Sequence, residues 1–115
     1  MLRLRRFATR FRSTEKLLNQ LTQKNTKRAL LALDRLKERG CLQDGTLHGL
    51  KLTGAKLNHA TFAKGQLEGV RLSQASLREA YFFDAMLHNA DFSFADLRGA
   101  NFRAADLTDA SLMQA

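Results

Sequence analysis

Leucine or phenylalanine occupies every fifth position from Leu42 to Leu112, fifteen positions without an exception. Near the end of the chain the neighbouring residues repeat as well, as Ala-Asp/Asn-Leu/Phe followed by two variable residues; Ala95-Asp96-Leu97 and Ala100-Asn101-Phe102 are adjacent copies. On an α-helix, steps of five at about 100° per residue would spread these apolar side chains around the whole cylinder. No single helical face could therefore bury them.

A continuous strand fits this period no better. Side chains alternate along a strand, so the small residue two positions before each Leu or Phe points to the same side as that residue. The next small residue follows after an odd step and would point outward unless the chain turned first. Each five-residue unit therefore requires a corner at the two positions after its Leu or Phe.

Corners of roughly 90° close a square after four units, so coils of twenty residues would stack at the strand spacing of about 4.8 Å. The phenylalanines Phe62, Phe82 and Phe102 lie twenty residues apart and would form one column. Their spacing favours twenty residues as the length of a coil.

This register resembles that of the pentapeptide-repeat proteins, over about Gly40 to Ala115. The resemblance implies an all-β solenoid, a right-handed quadrilateral β-helix with the central Leu/Phe and the small residues inside. Fifteen units make just under four coils. The register departs from the family pattern at the N-terminal end, where Leu50 and Val70 replace small residues and Lys51 and Arg71 replace Asp or Asn.

Residues 13–39 precede the repeat and have the pattern of helices. We expect Ser13 or Thr14 to cap a first helix, Asn25 or Thr26 to cap a second, and Gly40 to end it. The open end of a solenoid exposes strand edges and apolar core, so the second helix is expected to cover the first coil as an N-terminal α-helical cap. The expected domains are an arm over 1–12, the cap over 13–39 and the β-helix over 40–115.

No further helix follows the C-terminal coil before Ala115. We expect this uncapped coil to contact a protein partner or a second copy in a homodimer, with Leu112 and Met113 in the contact. A frayed end shielded by Asp109 and Gln114 is the alternative.

The basic charge of the chain lies in its first third. The net charge is +8, of which residues 1–39 carry +9 and residues 40–115 carry −1. Residues 1–12 hold five arginines and no acidic residue, and would form an amphipathic helix suited to an anionic membrane or nucleic acid. The residues expected to make that contact are Arg3, Arg5, Arg6, Phe7, Arg10, Phe11 and Arg12. A basic tail that packs on the cap is the alternative.

Outward-facing aromatic residues interrupt the polar wall of the repeat. Phe83 and Phe94 occupy positions where the pattern places outward side chains, Tyr81 lies close to Phe83, and Arg103 falls one coil after Phe83. We expect an aromatic and basic patch around Phe83 that contacts a partner. Isolated surface aromatic residues are the alternative.

The sequence offers little that suggests catalysis. His48, Glu68 and His88 fall in one column, but three ligands on an outer wall are a weak signal for a metal. The repeated Asp91, Asp96 and Asp106 are expected to cap local turns. We therefore expect a non-enzymatic protein with no catalytic residues, no metal site and no cofactor.

Two classes of function remain open. The first is a scaffold or protein-binding module that uses the solenoid wall and the C-terminal coil, with the arm as a tether. The second is peripheral binding to an anionic membrane or nucleic acid through residues 1–39. Some pentapeptide-repeat proteins resemble acidic duplex DNA and protect topoisomerases from inhibitors; this short and nearly neutral array is not expected to mimic DNA.

The expected location is cytoplasmic, and peripheral at a membrane in the second class. Cys41 is the single cysteine and cannot form an internal disulfide. No apolar run approaches the roughly 20 residues needed to span a bilayer.

Overall fold

The structure is a computed structural model that describes residues 13–115. The arm residues Arg3, Arg5, Arg6, Phe7, Arg10, Phe11 and Arg12 lie outside the described residues. The described chain begins in helix α1, over 13–20, and continues into helix α2, Thr26–Glu38. Neither helix is long and apolar enough to cross a membrane.

Both ends of α2 carry the predicted signals. The Asn25 side chain accepts a hydrogen bond from the Arg28 N–H at 3.2 Å, as expected of an N-cap. Gly40 follows the C-cap residue with φ of 75°, and the Cys41 N–H donates back to the Leu36 carbonyl at 3.0 Å. This positive φ suits glycine, which has no Cβ to clash in the left-handed region. The predicted stop at Gly40 is confirmed.

Ser13 and Thr14 do not have the predicted capping role. Both residues are helical, and their hydroxyl groups accept hydrogen bonds from the Arg39 guanidinium, Ser13 Oγ from Nη2 at 2.7 Å and Thr14 Oγ1 from Nη1 at 3.0 Å. These bonds tie α1 to the residue that caps the end of α2. Sequence spacing could not reveal a contact between residues so far apart in the chain.

After the helices the chain stacks on itself with a repeat of twenty residues. Nine parallel bridges join residues twenty apart, from Lys51 with Arg71 to Asp91 with Ser111. We call a stretch of four five-residue units a layer, and the last layer is residues 95–114. The bridges agree with the spacing predicted from the phenylalanine column.

The corners lie where the five-residue period requires them. The second residue after each Leu or Phe has a positive φ at every unit from Gly49 to Gln114. A hydrogen bond closes each turn, as from the Ala55 N–H to the Leu52 carbonyl at 3.0 Å. The all-β expectation differs from the structure in one respect, because the described residues form isolated bridges and no continuous strand. A chain that turns in every unit pairs with its neighbour over too few residues for a longer strand.

One hydrophobic core runs from the helices into the layers. Leu33 and Leu36 of α2 belong to the same buried cluster as Leu42 and Leu47 of the repeat. Within the layers, the Leu or Phe of each unit and the small residue before it point inward, and Leu72, Ala80 and Phe82 are fully buried. At the helical end, Leu50 packs partly buried against this core.

Candidate interaction surfaces

The inward-facing residues of the last layer are open to solvent. Leu97, Phe102 and Leu107 are only partly buried, and Leu112 is 46% exposed. Their equivalents one layer earlier are fully buried: Leu77, Phe82, Leu87 and Phe92. Met113, on the outer wall of the same layer, is 59% exposed. The apolar core therefore reaches the surface at this end, where Leu112 and Met113 lie.

The hydrogen bonds between layers show which backbone groups at this end act as donors and which act as acceptors. Within each unit, two N–H groups of one layer donate to the next layer and one carbonyl accepts from it. In the unit centred on Phe82, the Phe82 N–H donates to the Asn101 carbonyl at 2.7 Å, the Asp84 N–H donates to the Arg103 carbonyl at 2.9 Å, and the Ala80 carbonyl accepts from the Asn101 N–H at 2.9 Å. In the last layer the equivalent groups have no backbone partner among residues 13–115.

The two aromatic residues of the expected patch lie together on the wall, and Phe94 lies apart from them. The rings of Tyr81 and Phe83 lie 6.0 Å apart at 22°, and Arg103 follows Phe83 in the next layer. Tyr81 is 40% exposed, while Phe83 is half-buried. Phe94 lies about half a layer further along the chain, so it does not join this group.

Phe94 is instead a neighbour of the open end. Its N–H donates to the Met113 carbonyl at 2.9 Å, and its side chain is 51% exposed. Phe94, Leu112 and Met113 thus contribute exposed apolar area to the same end of the stack. Counting positions by layer would have separated Phe94 from Tyr81 and placed it beside Met113.

The repeated carboxylates act in local turns, as predicted. Asp91 Oδ1 accepts from the Ser93 N–H at 2.9 Å and from the Ser93 hydroxyl at 2.6 Å, and these bonds lower the pKa of Asp91. Asp106 makes the equivalent bonds with Thr108, and its pKa is also lowered. These hydrogen bonds favour the ionised carboxylate.

Asp96 has the strongest set of partners. It accepts from Arg98 Nε at 2.9 Å and Nη2 at 2.8 Å, and from Arg78 Nε at 2.6 Å. The hydrogen bonds from Arg98, followed by that from Arg78, hold the pKa of Asp96 well below its ordinary value. Because Arg78 belongs to the layer before Asp96, this cluster joins two layers on an exposed wall.

The histidine column does not converge on one point. His48 Nε2 lies 2.5 Å from Glu68 Oε2, whereas His88 Nδ1 lies 3.7 Å from the carboxylate of Asp106. Among residues 13–115, no three His, Cys, Asp or Glu side chains form a group that could hold a metal ion. The column consists of separate histidine–carboxylate contacts between layers.

One exposed apolar residue on the helices was not singled out from the sequence. Leu31 of α2 is 53% exposed and lies one helical turn from Lys27, Arg28 and Arg35, which are exposed as well. The buried face of α2 is formed by Ala29, Ala32, Leu33 and Leu36. The sequence could have indicated this exposure, because Leu31 does not fall in the helical spacing of the apolar residues that form the buried face.

Comparison with known families agrees with the five-residue register. The family model described as pentapeptide repeats matches eight copies, over residues 42–74 and 75–114. No curated protein sequence matches the chain.

Proposed function

Because the chain belongs to the pentapeptide-repeat family, we propose that it is a non-enzymatic protein-binding module built on a right-handed quadrilateral β-helix. The twenty-residue bridge spacing and the corner in every unit support this architecture. Such a stack is a rigid scaffold, because each layer is bonded to its neighbours. We place the module in the cytoplasm, where the lone buried thiol of Cys41 would stay reduced.

The observation that carries the proposal is the open last layer. Inward-facing side chains that are fully buried elsewhere are exposed there, beside Phe94, Leu112 and Met113. An edge that combines unpaired backbone groups with apolar side chains favours protein contacts. The partner is either a second copy of the chain or another protein, and it covers this layer. Tyr81, Phe83 and Arg103 would add a contact on the wall.

Binding at the last layer can be tested by placing a charge there. Leu112→Asp should abolish the association, because the carboxylate would be desolvated in an apolar contact. The measurement is affinity purification from the native host, together with co-expression of tagged and untagged copies to detect self-association. Leu31→Asp is the matched control, since Leu31 is exposed to a similar degree on α2.

The comparison of the two variants decides the outcome. A partner that is retained by Leu31→Asp and lost by Leu112→Asp binds at the last layer. If neither a second copy nor another protein behaves in this way, the last layer is not the binding site. A partner that is lost only from Leu31→Asp would instead bind at the helices.

A second candidate function is anion binding through residues 1–39. Leu31 lies among the exposed cations Lys27, Arg28 and Arg35, an arrangement suited to the interface of an anionic membrane. Deletion of residues 1–12 should then abolish sedimentation with anionic liposomes, and unchanged sedimentation would remove the arm from this function. Nucleic-acid binding through the same region predicts an affinity that falls steeply with salt. No mobility shift of nucleic acid at low salt would exclude it.

A further inference from the structure

The hydrogen bonds between layers identify the kind of edge that fits the open end. Apart from the turn bond from the Ala95 N–H to the Phe92 carbonyl, twelve backbone hydrogen bonds join residues 75–94, the lower layer, to the last layer, the upper one. The lower layer donates eight of these bonds and the upper layer donates four. The upper surface of a layer therefore offers eight N–H groups and four carbonyls. The lower surface offers the complementary eight carbonyls and four N–H groups.

The last layer presents its upper surface. The eight N–H groups equivalent to the donors of the lower layer have no backbone acceptor among the described residues: those of Leu97, Gly99, Phe102, Ala104, Leu107, Asp109, Leu112 and Gln114. The four carbonyls equivalent to the acceptors of the lower layer likewise have no backbone donor within residues 13–115: those of Ala95, Ala100, Ala105 and Ala110. This edge is rich in donors, so its complement must be rich in acceptors.

A symmetric pair of such edges is a poor match. In a two-fold contact each copy presents the same surface. If each carbonyl accepts one bond, as in the stack, the four carbonyls of each copy can serve only four of the eight N–H groups opposite. The other N–H groups would be enclosed in the contact without an acceptor, which opposes association.

A second copy cannot offer its lower surface either. The buried side chains of α2, among them Leu33 and Leu36, share one core with Leu42 and Leu47 at the start of the repeat. The helices therefore occupy the place where another last layer would have to stack. Head-to-tail stacking of this chain on itself is blocked by its own helices.

We propose that the last layer binds the uncovered first layer of another pentapeptide-repeat protein, which continues the stack in parallel and in register. This inference rests on the proposed binding function and names the class of partner. The partner's lower surface would supply the acceptors, and its inward Leu or Phe side chains would cover Leu97, Phe102, Leu107 and Leu112. The stacked rings of Phe82 and Phe102, 4.9 Å apart, illustrate the packing expected across the contact.

The test extends the full chain with layers of known register. Ala115 holds the same position in its unit as Ala75, so residues 76–115 appended directly after Ala115 would continue the register. Hydrogen exchange of the full chain and of the extended chain measures whether the eight N–H groups gain acceptors. The control inserts Gly-Ser before the same extension, which shifts the register by two residues.

In the in-register extension, we expect the N–H groups of Phe102 and Leu107 to exchange at least about tenfold more slowly than in the unextended chain. In the shifted control we expect them to exchange as in the unextended chain. Slow exchange at Leu77 and Leu87 checks that the original layers remain folded. Unchanged exchange at Phe102 and Leu107 in a folded, in-register extension would overturn the proposal.

A second experiment uses the unextended chain. By sedimentation, we expect it not to self-associate through the last layer and its edge N–H groups to exchange rapidly at every concentration. A dimer that protects these groups and is dissociated by Leu112→Asp would overturn the heterologous contact, yet it would support the proposed binding function. The two proposals can therefore fail separately.

Discussion

The column of stacked phenylalanines provides a matched pair of core positions. Phe82 packs between Phe62 and Phe102, with ring centroids 5.2 Å and 4.9 Å away and rings within 8° of parallel. It also meets Phe92 edge to face at 5.5 Å. Among the described residues, Phe62 has a ring contact with Phe82 alone. Both Phe62 and Phe82 are fully buried, so substitution of either by leucine removes a similar buried area.

The difference between Phe82→Leu and Phe62→Leu isolates the ring contacts. Replacing a buried phenylalanine with leucine costs about 1 kcal/mol in packing, and each aromatic pair contributes about 0.5–1.5 kcal/mol beyond its area. Phe62→Leu loses one pair and should lower the free energy of unfolding by about 1.5–2.5 kcal/mol. Phe82→Leu loses three pairs, so it should be less stable than Phe62→Leu by a further 1–3 kcal/mol or so.

Urea unfolding of the full chain, followed by circular dichroism, measures both values. The m-value should be the same in both variants, so that a shift in midpoint reports stability alone. Equal destabilisation by the two substitutions would refute the reasoning, because it would mean that burial, rather than ring stacking, determines the cost. A larger loss for Phe62→Leu would indicate that the layers nearest the helices limit stability.

Two further predictions concern the corners and the charged wall. Ala104 has φ of 61°, and Gly54 has φ of 73° with open space where a Cβ would lie. In urea titrations, Ala104→Gly should therefore raise the free energy of unfolding and Gly54→Ala should lower it, by about 0.5–1 kcal/mol each. Shifts of the same sign in the two variants would contradict this reasoning. Because its pKa is lowered in the folded state, Asp96 contributes stability above the ordinary pKa of about 4 that is lost as the pH falls through the folded pKa. Thermal unfolding is measured from about pH 6 to about pH 2, a range that brackets the ordinary pKa of roughly 4. The melting temperature should fall less with decreasing pH in Asp96→Asn than in Asp109→Asn. An equal fall in the two variants would exclude a role for the arginine bonds to Asp96.

The sequence predicted those features that follow from the backbone period. A five-residue repeat cannot bury its Leu or Phe without a corner, and the positive φ values from Gly49 to Gln114 confirm where each corner lies. The Phe62, Phe82 and Phe102 spacing likewise anticipated the stacked rings. These features depend on chain geometry that every unit shares, so the residue pattern of the repeat is sufficient to predict them.

Side-chain partnerships on the wall were harder to predict. The sequence places Phe83 and Phe94 close in number, yet Phe94 donates its N–H to Met113 and Phe83 stacks with Tyr81. Arg78 contacts Asp96, eighteen residues on, rather than the residue twenty away. Long side chains lean across columns, so the backbone register alone does not determine the partner.

The identity of the proposed partner is the least predictable feature, for a physical reason. Leu97 and Phe102 in the open layer are the same residue types as Leu77 and Phe82 in the buried layer before it, so the repeat pattern does not depend on whether a layer is covered. The edge donors are main-chain N–H groups, which almost any residue supplies. Main-chain bonds can provide affinity and direction, while selectivity among partners needs side chains at the rim. Phe94, Asp109 and Met113 lie at that rim. In the proposed contact, substitutions of these residues should change which pentapeptide-repeat protein binds more than they change how the stack continues.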